Sequence, residues 1–150
     1  MKTDLPYILM IDDDEFFLND AELELKGKAR FKGFQGPNDF ELEVTADDIK
    51  DADLILVDYE FRGGSATKCK LAQYIREELG YQGWLVLCSL HADHNFGGLR
   101  DQLAREYDEI IHKRDLKWSN LRSILEKEDS RFSGAIFRRQ ANQQEAGRHE

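Results

Sequence analysis

Four stretches of this 150-residue chain end an apolar run with a group able to do chemistry. Asp12 and Asp13 follow Ile8-Leu9-Met10-Ile11, and Asp58 follows Leu54-Ile55-Leu56-Val57. Ser89 follows Leu85-Val86-Leu87-Cys88, and Lys113 follows Ile110-Ile111-His112. Singly these are weak signals, since an acid at a strand end often caps a helix, a serine often makes a turn and a lysine is usually solvated. Together they form a coherent set. Crowded carboxylates raise one another's pKa unless a cation is near. A hard divalent ion such as Mg²⁺, which takes oxygen ligands and keeps waters, relieves that repulsion. A carboxylate is also a nucleophile toward phosphorus, giving an aspartyl phosphate. Mg²⁺, an ammonium and a hydroxyl are suited to the charge that spreads over the phosphoryl oxygens. On residue chemistry alone Asp58 is open between nucleophile, metal ligand and polar strand end.

The set works only if the chain brings the four run ends to one edge. Short Val-, Ile- and Leu-rich runs read as buried parallel strands. They alternate here with helical patterns, which predicts an α/β fold, a parallel sheet with helices on both faces and right-handed crossovers. The strand ends then lie together at the carboxyl edge, where such folds place their chemistry. Asp14 can cap a helix whose Phe17, Ala21 and Leu25 fall at four-residue steps and which Gly27 can stop. A second strand is expected over 31–35, then a turn at Gly36-Pro37-Asn38-Asp39. The alternating Phe40-Glu41-Leu42-Glu43-Val44 suits an extended segment, while Thr45 looks like a helix start, so a short or irregular helix is expected within 36–50. Further helices are expected over 68–79, over 99–106, and from Trp118 through Leu121, Ile124 and Leu125. A short fifth strand covers 109–112.

Composition bounds the rest. The net charge of -9 argues against nucleic-acid binding through phosphates. No apolar segment is long enough to span a bilayer, and the first residues lack a signal-peptide pattern, so a cytoplasmic location without membrane attachment is the expectation. Cys69 and Cys88 are expected to be reduced structural thiols. Residues 1–129 form the expected domain. Residues 130–150 read as a helical extension or disordered tail, in which Phe132, Ile136 and Phe137 are candidates for docking on the domain or a partner.

The four stretches, with Asp12-Asp13-Asp14 following the first, resemble the CheY-like receiver domain of two-component response regulators. The resemblance implies a flavodoxin-like doubly wound sheet of five strands in the order 2-1-3-4-5. It implies Asp58 as phosphoacceptor and Mg²⁺ ligand, Asp13 as a direct ligand, Asp12 acting mainly through a metal-bound water, and the Glu60 backbone carbonyl as a further ligand. Ser89 and Lys113 would hold the phosphoryl oxygens. The donor would be a phosphohistidine on a sensor histidine kinase or phosphotransfer protein, and the recipient of the signal a downstream protein target or fused output domain. Output would pass through the helix over 99–106, the strand over 109–112 and the helix from 118, a surface that could also support a homodimer. Such a domain catalyses its own phosphotransfer and dephosphorylation without turning over small substrates.

Several positions depart from the family pattern. Leu90 stands where a small residue is usual, Ile110 where an aromatic switch residue is common, Arg114 where proline usually follows the lysine, and Arg62 replaces another frequent proline. Glu60 and His91 occupy positions that commonly tune dephosphorylation. Two other functions compete. The first is a receiver-shaped interaction module that is never phosphorylated. The second is a haloacid-dehalogenase-type phosphatase with Asp12 as nucleophile, Asp14 as acid, and Ser89 and Lys113 as later motifs, a reading that leaves Asp58 without a role.

Overall fold

Each apolar run becomes a strand. The computed structural model describes residues 5–58, 70–90, 92, 98 and 100–127. Within them β1 (Tyr7–Ile11), β2 (Arg30–Phe34), β3 (Leu54–Asp58), β4 (Trp84–Ser89) and β5 (Glu109–His112) form one parallel sheet. The strand order is β2-β1-β3-β4-β5, the flavodoxin-like order expected from the sequence. Strands β3 and β4 are buried along their whole length, which is why their sequences are continuous apolar runs rather than alternating ones. The edge strand β5 is half-buried throughout.

Two cores lie on opposite faces of the sheet. On one, α1 (Glu15–Leu25) and α6 (Trp118–Leu125) set Ala21, Leu25, Leu121 and Ile124 against Ile8, Met10, Leu56 and Val86. On the other, α2 (Pro37–Glu43), α3 (Ala46–Asp51), α4 (described over 70–78) and α5 (Arg100–Glu106) cover Leu9, Ile11, Ile55, Val57, Leu85 and Leu87. The last turn of α4, Tyr74–Glu78, is wound as a π-helix. Among the described residues no helix is long and apolar enough to cross a membrane.

The region 36–51, where a turn and then a short or irregular helix were expected and 40–44 also suited an extended segment, holds two short helices. Gly36, at φ 102°, turns the chain into Pro37, which opens α2 without needing an N–H partner. Phe40 is buried and meets the Phe34 ring edge-on at 5.1 Å, whereas Leu42 is 84% exposed. One anchored aromatic therefore decides the segment, and the alternation of apolar and acidic residues has no sheet to face. Thr45 caps α3 in a full capping box with Asp48. Asp48 also accepts from the Tyr7 hydroxyl at 2.8 Å and from Lys32 at 2.7 Å, tying α3 to β1 and β2. Burial works to raise the Asp48 carboxyl, but the bonds from Lys32, Tyr7 and Thr45 outweigh it and hold the group below the usual range.

A second polar staple closes the far side. Asp108 accepts from Arg76 at 2.6 Å and from the Leu85 N–H at 2.8 Å. Arg76 also donates to the carbonyls of Tyr81 and Gly83. The approach to β4 and the start of β5 are thereby fixed to α4.

Candidate metal centre

The carboxyl ends of β1 and β3 and the residue after β5 meet at one point. Asp12 and Asp58 are 0% and 1% exposed, and Lys113 is 8% exposed. The Lys113 ammonium lies 2.9 Å from Asp58 Oδ1 and 3.1 Å from Asp12 Oδ2, bridging the two carboxylates. Asp13 is half-buried beside them. One oxygen from each of Asp12, Asp13 and Asp58 fits within a 4.8 Å cluster.

Local sequence explains each placement. Asp12 is held to β2 by its own N–H, which donates to the Phe34 carbonyl at 3.1 Å. Its Oδ1 accepts from the Asp14 N–H at 2.9 Å. Asp14 in turn caps α1, its side chain accepting from the Phe16 N–H. Asp14 is therefore a helix cap, the role expected for it, and its carboxylate is engaged away from the cluster. After β5 the chain winds a short 3₁₀ turn, Lys113–Asp115, in which the Arg114 N–H donates to His112 Nδ1 at 3.0 Å. A proline at 114 could not make that bond.

Ser89 is buried at the end of β4, where the strand register sets it opposite His112, one residue beyond the Asp58–Cys88 pair. It thus reaches the same sheet edge. Glu60 lies outside the described residues, as do Cys69, Arg62, His91, Leu99, Phe132, Ile136 and Phe137. Leu90 is 44% exposed at the rim, and Ile110 packs on the Leu9–Leu87 core.

The electrostatics are those of an anionic pocket. Among the described residues, three carboxylates face one ammonium. Burial, and then the charge of Asp58, push the Asp12 carboxyl up to about 6, against the opposing pull of the Asp14 N–H and Lys113. Burial alone would lower Lys113, but its contacts with Asp58 and Asp12 outweigh this and raise it, so the ammonium stays protonated. Burial pushes the Cys88 thiol up to about 12, which makes it an unreactive packing group at neutral pH. The donor set is all oxygen, crowded and short of positive charge, and it fits a hard divalent cation such as Mg²⁺.

One neighbour of the site had no sequence signal. Phe17, expected only as a member of the buried stripe of α1, places its ring 3.8 Å from the Lys113 ammonium. The two residues lie on elements at opposite ends of the chain, and no local pattern connects them.

The sheet order and the two-sided helix cover are those of the flavodoxin-like, CheY-like receiver fold. Comparison with solved structures agrees. The chain is similar to a response regulator receiver domain protein from Clostridium thermocellum, with 16% identity, a TM-score of 0.63, and coverage of 91% of this chain and 98% of that one. It is similar to a response regulator from Thermotoga maritima at 18% identity and a TM-score of 0.62, covering 82% and 99%. It is also similar to the response regulator TrrA of Thermotoga maritima, solved in complex with Mg²⁺-BeF, at 18% identity and a TM-score of 0.55, covering 72% and 86%. No protein-family model matches the sequence, and no curated protein matches it.

Proposed function

We propose that this chain is a response-regulator receiver that takes a phosphoryl group onto Asp58 in a Mg²⁺-dependent reaction and signals through an altered interaction surface. The observation that carries the proposal is the Lys113 ammonium bridging Asp58 and Asp12, with an Asp13 oxygen in the same cluster. An Asp58 carboxylate oxygen attacks phosphorus. The new P–O bond forms as the P–N bond to a donor imidazole breaks, the electron pair and a proton passing to that nitrogen. Lys113 would neutralise charge on the phosphoryl oxygens, and the Ser89 hydroxyl would donate to them. Asp12, Asp13, Asp58 and the Glu60 carbonyl would hold Mg²⁺, which supplies charge neutralisation at the same oxygens. The donor would be a phosphohistidine of a sensor histidine kinase or phosphotransfer protein, and the recipient a downstream protein or fused domain.

The phosphatase alternative needs Asp14 as its acid, and that side chain caps α1. Incubation with acetyl phosphate and Mg²⁺, followed by intact mass measurement, tests the proposal directly. One phosphoryl adduct, absent when a chelator replaces Mg²⁺, is the expected result. An unmodified chain under both conditions sinks it and leaves the non-phosphorylated interaction module.

Metal affinity should also depend on pH. The metal needs Asp12 ionised, and burial together with the Asp58 charge pushes that carboxyl up to about 6. Calorimetric titration with MgCl₂ is expected to give affinity about tenfold weaker at pH 5 than at pH 7.5, because proton and metal compete for the same carboxylate. Equal affinity at the two values would remove Asp12 from the metal site.

A further inference from the structure

We infer that Phe17 is a positioning residue of this site, its ring face holding the Lys113 ammonium between Asp58 and Asp12. The functional half of the inference rests on the receiver reading above; the placement rests on geometry alone. The ammonium is ion-paired with Asp58 Oδ1 at 2.9 Å and Asp12 Oδ2 at 3.1 Å on two sides, and the Phe17 ring centroid, at 3.8 Å, closes a third. The negative face of the ring attracts the cation, more strongly where water is excluded. The Lys113 side chain is only 4% exposed.

The ring is itself tied to the carboxylates. The Phe17 N–H donates to the Asp14 carbonyl at 3.1 Å, and the Asp14 N–H donates to Asp12 Oδ1 at 2.9 Å. The first turn of α1 therefore couples the ring over the ammonium to one of the carboxylates beneath it. Phe16 meets Phe17 edge-on at 6.1 Å and is 67% exposed, so the outer ring faces water while the inner one faces the ammonium.

Ordinary packing is the competing role, because Phe17 also lies against the Met10–Leu25 cluster. The two roles separate by substitution. Leucine or methionine fills apolar space without a π face, and tyrosine keeps the face. If the ring only packs, shape decides the outcome. If it positions the ammonium, aromaticity does. A held ammonium is already in place when charge develops on the phosphoryl oxygens, whereas a freed one must be recruited from water.

The test compares the full native chain with Phe17→Leu, Phe17→Met and Phe17→Tyr by two measurements. The first is the proton NMR position of the Lys113 ε-methylene, assigned by its disappearance in Lys113→Arg. Ring-current shielding should move it upfield in the native chain and in Phe17→Tyr, and not in Phe17→Leu or Phe17→Met. The second is the rate of adduct formation from acetyl phosphate at saturating Mg²⁺. It should fall about tenfold in the leucine and methionine variants and stay near native in the tyrosine variant. An unshifted Lys113 signal in the native chain, native rates in the leucine and methionine variants, or equal slowing in all three variants would each overturn the inference. Absence of any adduct on the native chain is a different failure, that of the receiver reading, and the NMR measurement still decides where Lys113 sits.

Discussion

Asp58→Asn is expected to give a folded chain that takes no phosphoryl group from acetyl phosphate. The amide has no ionisable oxygen to attack phosphorus, so labelling should drop to background rather than merely slow. The fold should tolerate the change. Asparagine has nearly the same shape, and its carbonyl oxygen can still face Lys113. Removing one of the crowded carboxylates also relieves part of the repulsion that helps push the Asp12 carboxyl up to about 6. In chelator at pH 7.5 the thermal midpoint of the variant should be no lower than that of the native chain. Intact mass and a melting curve on the same sample decide the matter, and an adduct of unchanged yield would move the phosphoacceptor away from Asp58.

Lys113→Met is expected to have the opposite balance, with a large loss of stability. Asp12 and Asp58 are 0% and 1% exposed, and the Lys113 ammonium bridges both of them. Removing one partner of a buried ion pair typically costs about 3–5 kcal/mol, because the remaining charge is left uncompensated. The pH dependence follows from the direction of the Asp12 shift. Between the ordinary carboxylate value and about 6 the folded state binds more protons at Asp12 than the unfolded state does, so this group's contribution to stability falls as pH rises through that window. Without Lys113 the shift grows, and the fall should be deeper. Lys113 itself is raised, so in the native chain its contribution is fully present below its unfolded value and is lost only in strong alkali. Urea unfolding of both chains in chelator should show a large difference at pH 7.5 and a smaller one at pH 4.5, with Mg²⁺ recovering part of the loss at pH 7.5. A variant as stable as the native chain at pH 7.5 would show that the ammonium does not hold the pocket together.

Much of this arrangement is visible in the sequence because its causes are local. A strand buried on both faces must be apolar at every position, so β1, β3 and β4 announce themselves as continuous runs, and the residues that end them lie at the sheet edge by necessity. The Asp14 cap and the Thr45 capping box are equally legible, since each bond spans two or three residues. What is not legible depends on contacts made across the fold. The alternation in 40–44 suits a strand, yet the segment is helical, with Phe40 buried against Phe34 across the fold. The π turn of α4 carries no periodic signature of its own. Phe17 follows the spacing of an ordinary core residue, and nothing in that spacing shows that a lysine from the far end of the chain arrives beneath its ring.

The sheet is unequal in a way that bears on the site. Strand β3, which carries Asp58, is buried along its whole length, while β5 is an edge strand half-buried throughout. The start of β5 is pinned by Asp108 to Leu85 and by Glu109 to Lys127. Regions with few buried contacts open with less free energy than the core does. Asp58 therefore sits on a strand buried throughout, and the ammonium that bridges it to Asp12 follows directly from the half-buried edge strand. Local fraying of β5, short of global unfolding, would unseat Lys113 and leave Asp58 in place, at the cost of parting the buried ammonium from both carboxylates.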